Sequence, residues 1–284
     1  MTPAARDRWS VGPAVIFTAA MIGLPVIFLF LLGFLKIDRG VFTGKFSPEG
    51  YAAIFTDPYY AQVFLRTLAI ALLVTLLCLL LGYPIAFFFY RTQGRLKGAI
   101  LLAVMAPLLT STLVRTFGWM VLLGRDGAVN HALLATHIIN SPIEFLFTLK
   151  GVLIGMTQVL LPYMVLPLMA ALETVSPMLE EAAINLGASR WQVFWRILIP
   201  QTLPGMAGGV ALVFILAFSE FPVPSLLGGA TFKILPVYIY QTMTTLLDWS
   251  RGAALASILL LGSGLIVFLI QWIFKRLSPW TTAA

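Results

Sequence analysis

The sequence predicts an all-α membrane protein of six transmembrane helices, with a two-helix cytoplasmic loop between the fourth and fifth. Three observations predict it. Sixty per cent of the 284 residues are hydrophobic and 10% are charged, against roughly 25% charged in an ordinary soluble domain. The mean hydropathy is +0.97. Six apolar segments reach the length of about 20 residues that a membrane-crossing helix needs. None of them alternates apolar with polar residues as a barrel strand would, and lipid admits only helices and closed barrels. Together these exclude a disordered chain, a nucleic-acid-binding domain and a soluble enzyme.

The first apolar segment, near 11–35, follows a short N-terminal stretch, 1–10, carrying Arg6 and Arg8. It is longer than the roughly 7–15-residue core of a signal peptide and lacks a clear small-residue cleavage site, so it is expected to stay attached as a span. The others lie near 62–90, 98–123, 149–172, 201–221 and 252–274, leaving 275–284 as a tail. Pro25, Pro84, Pro107, Pro162 and Pro167 fall within these segments. Proline kinks suit a cavity or a moving gate, although proline is common in membrane helices. An even number of spans places both termini on one side. That side carries Arg6, Arg8, Arg91, Arg95, Lys97, Arg190, Arg196, Lys275 and Arg276; the other carries Lys36, Arg39, Lys45, Arg125, Lys150, Lys233 and Arg251. The excess, densest at 91–97, favours cytoplasmic termini.

Little points to catalysis or metal binding. Cys78 is the single cysteine, which excludes an intrachain disulfide and a thiolate zinc site. His131 and His137 are six residues apart, on different faces of any helix, and are expected to be loop residues. The spans hold no cluster of nucleophile and acid–base residues, so no catalytic residue is assigned. The run Gly40 to Phe46 superficially resembles a phosphate loop. It has one residue too few between its glycines, and Phe46 stands where Ser or Thr should hold magnesium.

The loop at 173–200 has legible start and stop signals. Ser176-Pro177 suits an N-cap followed by proline at the first helical position. Leu179, Ala182, Ala183 and Leu186 form an apolar face at helical spacing, and Gly187 suits the left-handed residue that ends a helix. Ser189 and Gln192 form a capping box that starts a second helix. Trp191, Phe194, Trp195 and Leu198 line one side of it, and Pro200 is expected to end it. The two helices, about ten residues each, are too polar to span. The second is expected to lie along the interface with Trp191 and Trp195 at headgroup level. The first is expected to turn Glu180 and Glu181 to the cytoplasm. The elbow reads equally as a docking surface and as a connector.

Glu181-Ala182-Ala183, then Gly187, then Ile197-Leu198-Ile199-Pro200 resembles the EAA motif of binding-protein-dependent ABC transporter permeases: Glu-Ala-Ala, three residues, Gly, nine residues, Ile-x-Leu-Pro. The departure is Ile199 in place of leucine. The likeness extends over roughly 51–276. Leu81-Gly82-Tyr83-Pro84-Ile85-Ala86, Leu113-Val114-Arg115-Thr116 and Pro222-Val223-Pro224-Ser225-Leu226-Leu227-Gly228-Gly229 are similar to the spermidine/putrescine-type subgroup. The resemblance implies the transmembrane domain of a type I ABC importer, located in a bacterial inner membrane. It implies coupling to an ATPase through Glu180, Glu181, Ala182, Ala183, Asn185, Gly187, Ala188, Ser189, Arg190 and Pro200. It further implies two separate ATPase subunits that hold ATP and magnesium, a second permease subunit (a paralogue rather than a copy), a periplasmic substrate-binding protein, and no nucleic acid. A polyamine such as spermidine or putrescine leads as substrate. Ferric iron, an opine, an aminophosphonate or thiamine are alternatives within the family, and a secondary transporter is the alternative outside it.

Charge inside a span is costly and therefore suggestive. Arg115 lies within the third segment, where it could snorkel outward or be anchored to Glu220 or a carbonyl. Glu220 ends the fifth span, and Asp248 precedes Trp249 in the last outer loop. Carboxylates at an outer gate would suit a cation, and they would equally serve helix ends or salt bridges. The stretch 222–251 is expected to dip back as a short re-entrant helix.

Overall fold

A computed structural model describes residues 3–38, 41–229 and 232–277, with side chains from residue 13 onward except 14, 37–38 and 41–44. Arg39, Gly40 and the tail from 278 lie outside these residues, as do the Arg6 and Arg8 side chains. The elements run α1 (Pro3–Leu32), β1 (Leu35–Asp38), β2 (Val41–Phe46), α2 (Glu49–Thr56), α3 (Pro58–Arg91), α4 (Arg95–Met105), a 3-10 turn (Ala106–Leu109), α5 (Thr112–Leu122) and α6 (Ala128–Ala135). They continue with α7 (Leu149–Glu173), α8 (Pro177–Asn185), α9 (Arg190–Val193), a π turn (Phe194–Leu198), α10 (Ile199–Ser219), α11 (Pro222–Leu227), α12 (Leu235–Thr244) and α13 (Trp249–Leu277). The chain divides into two compact units, 1–62 with 238–261 and 63–237 with 262–284.

Among the described residues, five helices are long and apolar enough to cross a membrane, and a sixth span exists if a bent pair is counted as one. That pair is the expected third span. It is not one rod: α4 with its 3-10 turn meets α5 at 98°. Pro107 sits in the 3-10 turn, and Thr110 and Ser111 are extended before α5 begins. Proline cannot donate to the helical ladder, and two extended residues cannot continue it. Each half has 11 residues in α-helix, about 16 Å of rise, which is half of a hydrocarbon core.

The first unit contains the one feature outside an all-helical plan among the described residues. β1 and β2 form an antiparallel hairpin with a bulge between Leu35 and Ile37. The run from Val41 that resembled a phosphate loop is therefore a strand, not the loop-to-helix junction that phosphate binding needs. Beside the hairpin, Phe34 stacks on Phe46 at 5.4 Å and meets Tyr51 at 4.4 Å. The Tyr51 hydroxyl donates to the Phe30 carbonyl and to Ser257 Oγ, both at 3.2 Å. Tyr59, Tyr60 and Tyr238 form a second aromatic group.

In the second unit the most extensive packing is between α7 and α10. Gly205 and Gly209 lie one helical turn apart on α10, and small residues at this spacing let membrane helices approach closely. A β-carbon at Gly205 would overlap that of Ala171, and one at Gly209 would stand 3.1 Å from Met164 Sδ. Gly205→Leu should therefore force α10 from α7, with a cost of about 1–3 kcal/mol. Gly208→Ala meets nothing within 4 Å and should leave stability unchanged or slightly raised. Thermal unfolding in detergent compares the two. Phe214 and Phe218, both fully buried, stack at 5.4 Å at the far end of α10. There α11 packs against α5 and α7.

Candidate functional site

The elbow between α7 and α10 begins and ends its first helix as its residue types require. Ser176 is extended at the N-cap with Pro177 following, although its side chain makes no capping bond. At the other end the Gly187 N–H donates to the Ile184 carbonyl at 2.9 Å and the Ala188 N–H donates to the Ala183 carbonyl at 3.0 Å. Gly187 has φ +87°. These two bonds and a left-handed residue make a Schellman stop. The capping box follows: the Gln192 N–H donates to Ser189 Oγ at 3.3 Å, and the Ser189 N–H donates to Gln192 Oε1 at 2.8 Å.

Two expectations fail here. Pro200 does not end the second helix, and that helix is not a separate interfacial piece. Helix continues from Arg190 to Ser219 as one candidate span. The π turn at Phe194–Leu198 immediately precedes Pro200. Proline has no N–H for the ladder, and a π turn re-registers the ladder, so the helix passes through the proline. Trp191 and Trp195 stand exposed at the start of this span, and Leu198 is buried.

A third expectation also fails, on which way α8 faces. Glu180 does not point to solvent: it is 6% exposed. Tyr90 Oη donates to its Oε1 and Arg91 Nη2 donates to its Oε2, each at 2.6 Å. Arg91 also lies over the rings of Phe87 and Tyr90, 5.2 Å from each centroid. The expected apolar face turns outward instead, with Met178 76% and Leu186 90% exposed and Leu179 exposed beside them. The reason is energetic. A carboxylate holding two charge-assisted hydrogen bonds at the end of α3 orients α8 more strongly than two small alanines and two leucines do. Glu181, Ala182, Asn185, Gly187, Ser189 and Arg190 are exposed, whereas Ala183, Ala188 and Pro200 are partly covered. A second ion pair, Lys97 Nζ to Glu173 Oε1 at 2.6 Å, ties α4 to the end of α7. Behind α8 lies a cavity of about 740 Å³, bounded by the last turns of α3 and the first turns after Arg190.

Tyr90, Arg91, Lys97 and Glu173 were missed as partners of the elbow. The signal available was numerical: two bases six residues apart and two carboxylates seven apart, each set at a helix end. In sequence terms the bases carry only an orientation signal.

Of the residues proposed for a substrate path, Arg115 and Glu220 lie in one compact unit and Asp248 and Trp249 in the other. Arg115, early in α5, donates from Nη2 to Thr112 Oγ1 at 3.4 Å. Its Nε and Nη1 are buried without hydrogen-bond partners, as is Glu220 Oε1. Glu220 caps the end of α10 and accepts from the backbone N–H of Val223 at the start of α11. Arg115 acts electrostatically on Glu220, but the two form no direct ion pair. Asp248 belongs to the other unit and is committed locally. Its Oδ1 accepts the Arg251 N–H at 3.0 Å, and its Oδ2 lies 3.4 Å from Arg251 Nε. Trp249 is the partly exposed first residue of α13. Of the stretch 222–251, α11 and α12 are the helical parts before α13. His131 lies in α6 rather than a loop, and His137 follows it with φ +55°. Among the described residues no group of three ligating side chains could hold a metal ion.

Comparison with known proteins matches residues 4–282 to the family described as the binding-protein-dependent transport system inner membrane component. The spermidine/putrescine transport system permease protein PotB of Salmonella typhimurium (strain SL1344) is 37% identical over 265 residues, covering 90% of this chain and 92% of that protein. Its Escherichia coli (strain K12) counterpart is 36% identical, covering 90% of this chain and 96% of that protein. In fold, the chain is similar to one from the crystal structure of a bacterial ABC transporter involved in the import of the acidic polysaccharide alginate. The TM-score is 0.78 at 18% identity, over 95% of this chain and 96% of that one. The elbow, the long apolar helices and these matches converge: the chain belongs to the binding-protein-dependent inner membrane components, the permeases of ABC importers.

Proposed function

We propose that this chain is one permease subunit of a polyamine importer. A periplasmic binding protein delivers the solute, a paralogous permease completes the pathway, and two separate ATPase subunits holding ATP and magnesium drive alternating access. The observation that carries the reading is the exposed apolar face of α8. Met178, Leu179 and Leu186 face solvent while the opposite side is fastened to α3 through Glu180. An exposed apolar patch on a helix that also exposes Glu181 is what a partner contact needs. A connector with no partner would bury it. The polyamine assignment rests on the relatives named above, and the carboxylate of Glu220 suits a cation.

Topology has a direct test. Cys78 is buried, so Leu186→Cys supplies an exposed thiol. A membrane-impermeant maleimide should label it only in inside-out vesicles of a bacterial inner membrane, which places both termini in the cytoplasm. Transport is tested in proteoliposomes holding both permeases and the ATPases, with binding protein and labelled spermidine. Uptake should need both ATP and binding protein. Uptake that survives removal of ATP would instead mark a secondary transporter.

A further inference from the structure

The cavity behind α8 has a chemistry that coupling leaves unexplained. Its volume of about 740 Å³ lies in the roughly 300–1,000 Å³ range of small-ligand sites. Its walls are aromatic: Tyr83 and Phe87 from α3 face Trp191 and Phe194 from the start of the fifth span. Its charges are two guanidiniums, Arg91 and Arg190, against one carboxylate, Glu180. Both oxygens of Glu180 are already engaged, one by Tyr90 and one by Arg91. Arg190 is exposed and makes no ion pair among the described residues. The cavity is therefore net cationic, which disfavours a polyamine and favours an anion.

Its position narrows the anion further. The cavity lies where two apolar spans end, Pro58–Arg91 and Arg190–Ser219, beside a tryptophan 69% exposed at position 191. Tryptophan and arginine at a span end mark the headgroup level of a bilayer. A small anion would leave the exposed ring of Trp191 and the half-buried rings of Phe87 and Phe194 facing water, whereas an amphiphile uses both the rings and the charge. We propose that this cavity seats an anionic phospholipid. Its phosphate lies on Arg190 and on the N–H groups of Arg91 that Glu180 does not take, and part of an acyl chain lies against Phe87, Trp191 and Phe194. The lipid would brace α8 from behind, opposite the face offered to the ATPase. The inference rests on the membrane-spanning reading alone and is independent of the solute carried.

The test is native mass spectrometry of the full chain, purified in detergent with its co-assembling subunits. It is titrated in turn with dioleoylphosphatidylglycerol, dioleoylphosphatidylcholine and inorganic phosphate. Phosphatidylglycerol should be retained at one per copy of this chain, about tenfold more tightly than phosphatidylcholine. Arg190→Gln should lose most of that preference, and Trp191→Ala should weaken both lipids. Arg196→Gln, outside the cavity, should match the wild type. Equal retention of the two lipids, an Arg190→Gln variant indistinguishable from Arg196→Gln, or displacement of phosphatidylglycerol by inorganic phosphate at equal concentration would each overturn the proposal. ATP-driven uptake by the same preparation reports on transport separately, so failure of the lipid site leaves that reading standing.

Discussion

Glu180→Ala is expected to lower ATP-driven uptake at least tenfold while the protein still inserts and assembles. The substitution removes the acceptor for Tyr90 and Arg91 at once. Breaking a fully buried ion pair costs about 3–5 kcal/mol. Here the Arg91 side chain is 48% exposed, so its charge returns to water and the cost falls to about 1–3 kcal/mol, the penalty of orphaned hydrogen-bond partners. That is a modest fraction of the stability of a domain, but it falls where α8 is fastened to α3. A force delivered to the exposed face of α8 would then rotate the elbow instead of moving the span. Glu180→Gln keeps the shape and one acceptor oxygen but not the charge, so it should sit between alanine and wild type. Arg91→Ala should reproduce the defect, and the double variant should be little worse than either single one, because the residues act as a pair. Binding-protein-stimulated ATP hydrolysis is the second readout: it should persist in Glu180→Ala while uptake fails. Wild-type uptake by Glu180→Ala would remove the latch from the mechanism.

How much of this could be read beforehand depended on how local the cause was. The Schellman stop at Gly187 and the capping box at Ser189 are decided within six residues, and both stand where their residue types put them. Five of the spans are likewise set by length and hydropathy. The failures are all non-local or cooperative. Glu180 pairs with residues about 90 positions away, and in a single sequence its neighbour Glu181 looks the same. Apolar spacing on α8 groups Leu179 with Leu186 and turns Glu180 to the cytoplasm, since hydrophobic periodicity assumes that burial follows apolarity. A helix that exposes its apolar residues, as α8 does, inverts that assumption. Pro107 and Pro200 show the same limit in another form. Both lie in apolar runs, yet one breaks its span at 98° and the other is carried through. The difference lies in the flanking residues: Thr110 and Ser111 leave the helix after Pro107, whereas a π turn absorbs Pro200. The unpartnered atoms of Arg115 and Glu220 depend on how α5, α10 and α11 meet, which composition and spacing do not encode.

Gly187→Val is expected to reduce uptake at least tenfold, with Gly187→Asn retaining most of it. The argument is purely conformational. A β-carbon at Gly187 meets nothing within 4 Å, so crowding by neighbours is not the cause. The residue holds φ +87°, a region that costs an ordinary L-residue about 1–2 kcal/mol and is worse for a β-branched one. Asparagine tolerates it and also ends helices in this way. Valine would relieve the strain by moving φ negative, which breaks the bonds from the N–H groups of Gly187 and Ala188. The capping box two residues later would then start its helix in a different direction. Because α9 runs without interruption into α10, a redirected start at Arg190 is transmitted to the whole fifth span rather than absorbed in a loop. Glu181→Lys provides the contrast. Glu181 is exposed, so the substitution should leave thermal unfolding unchanged while it lowers uptake through the partner contact alone. If Gly187→Val and Glu181→Lys both transported normally, the elbow would be a connector, and the force would have to reach the spans elsewhere.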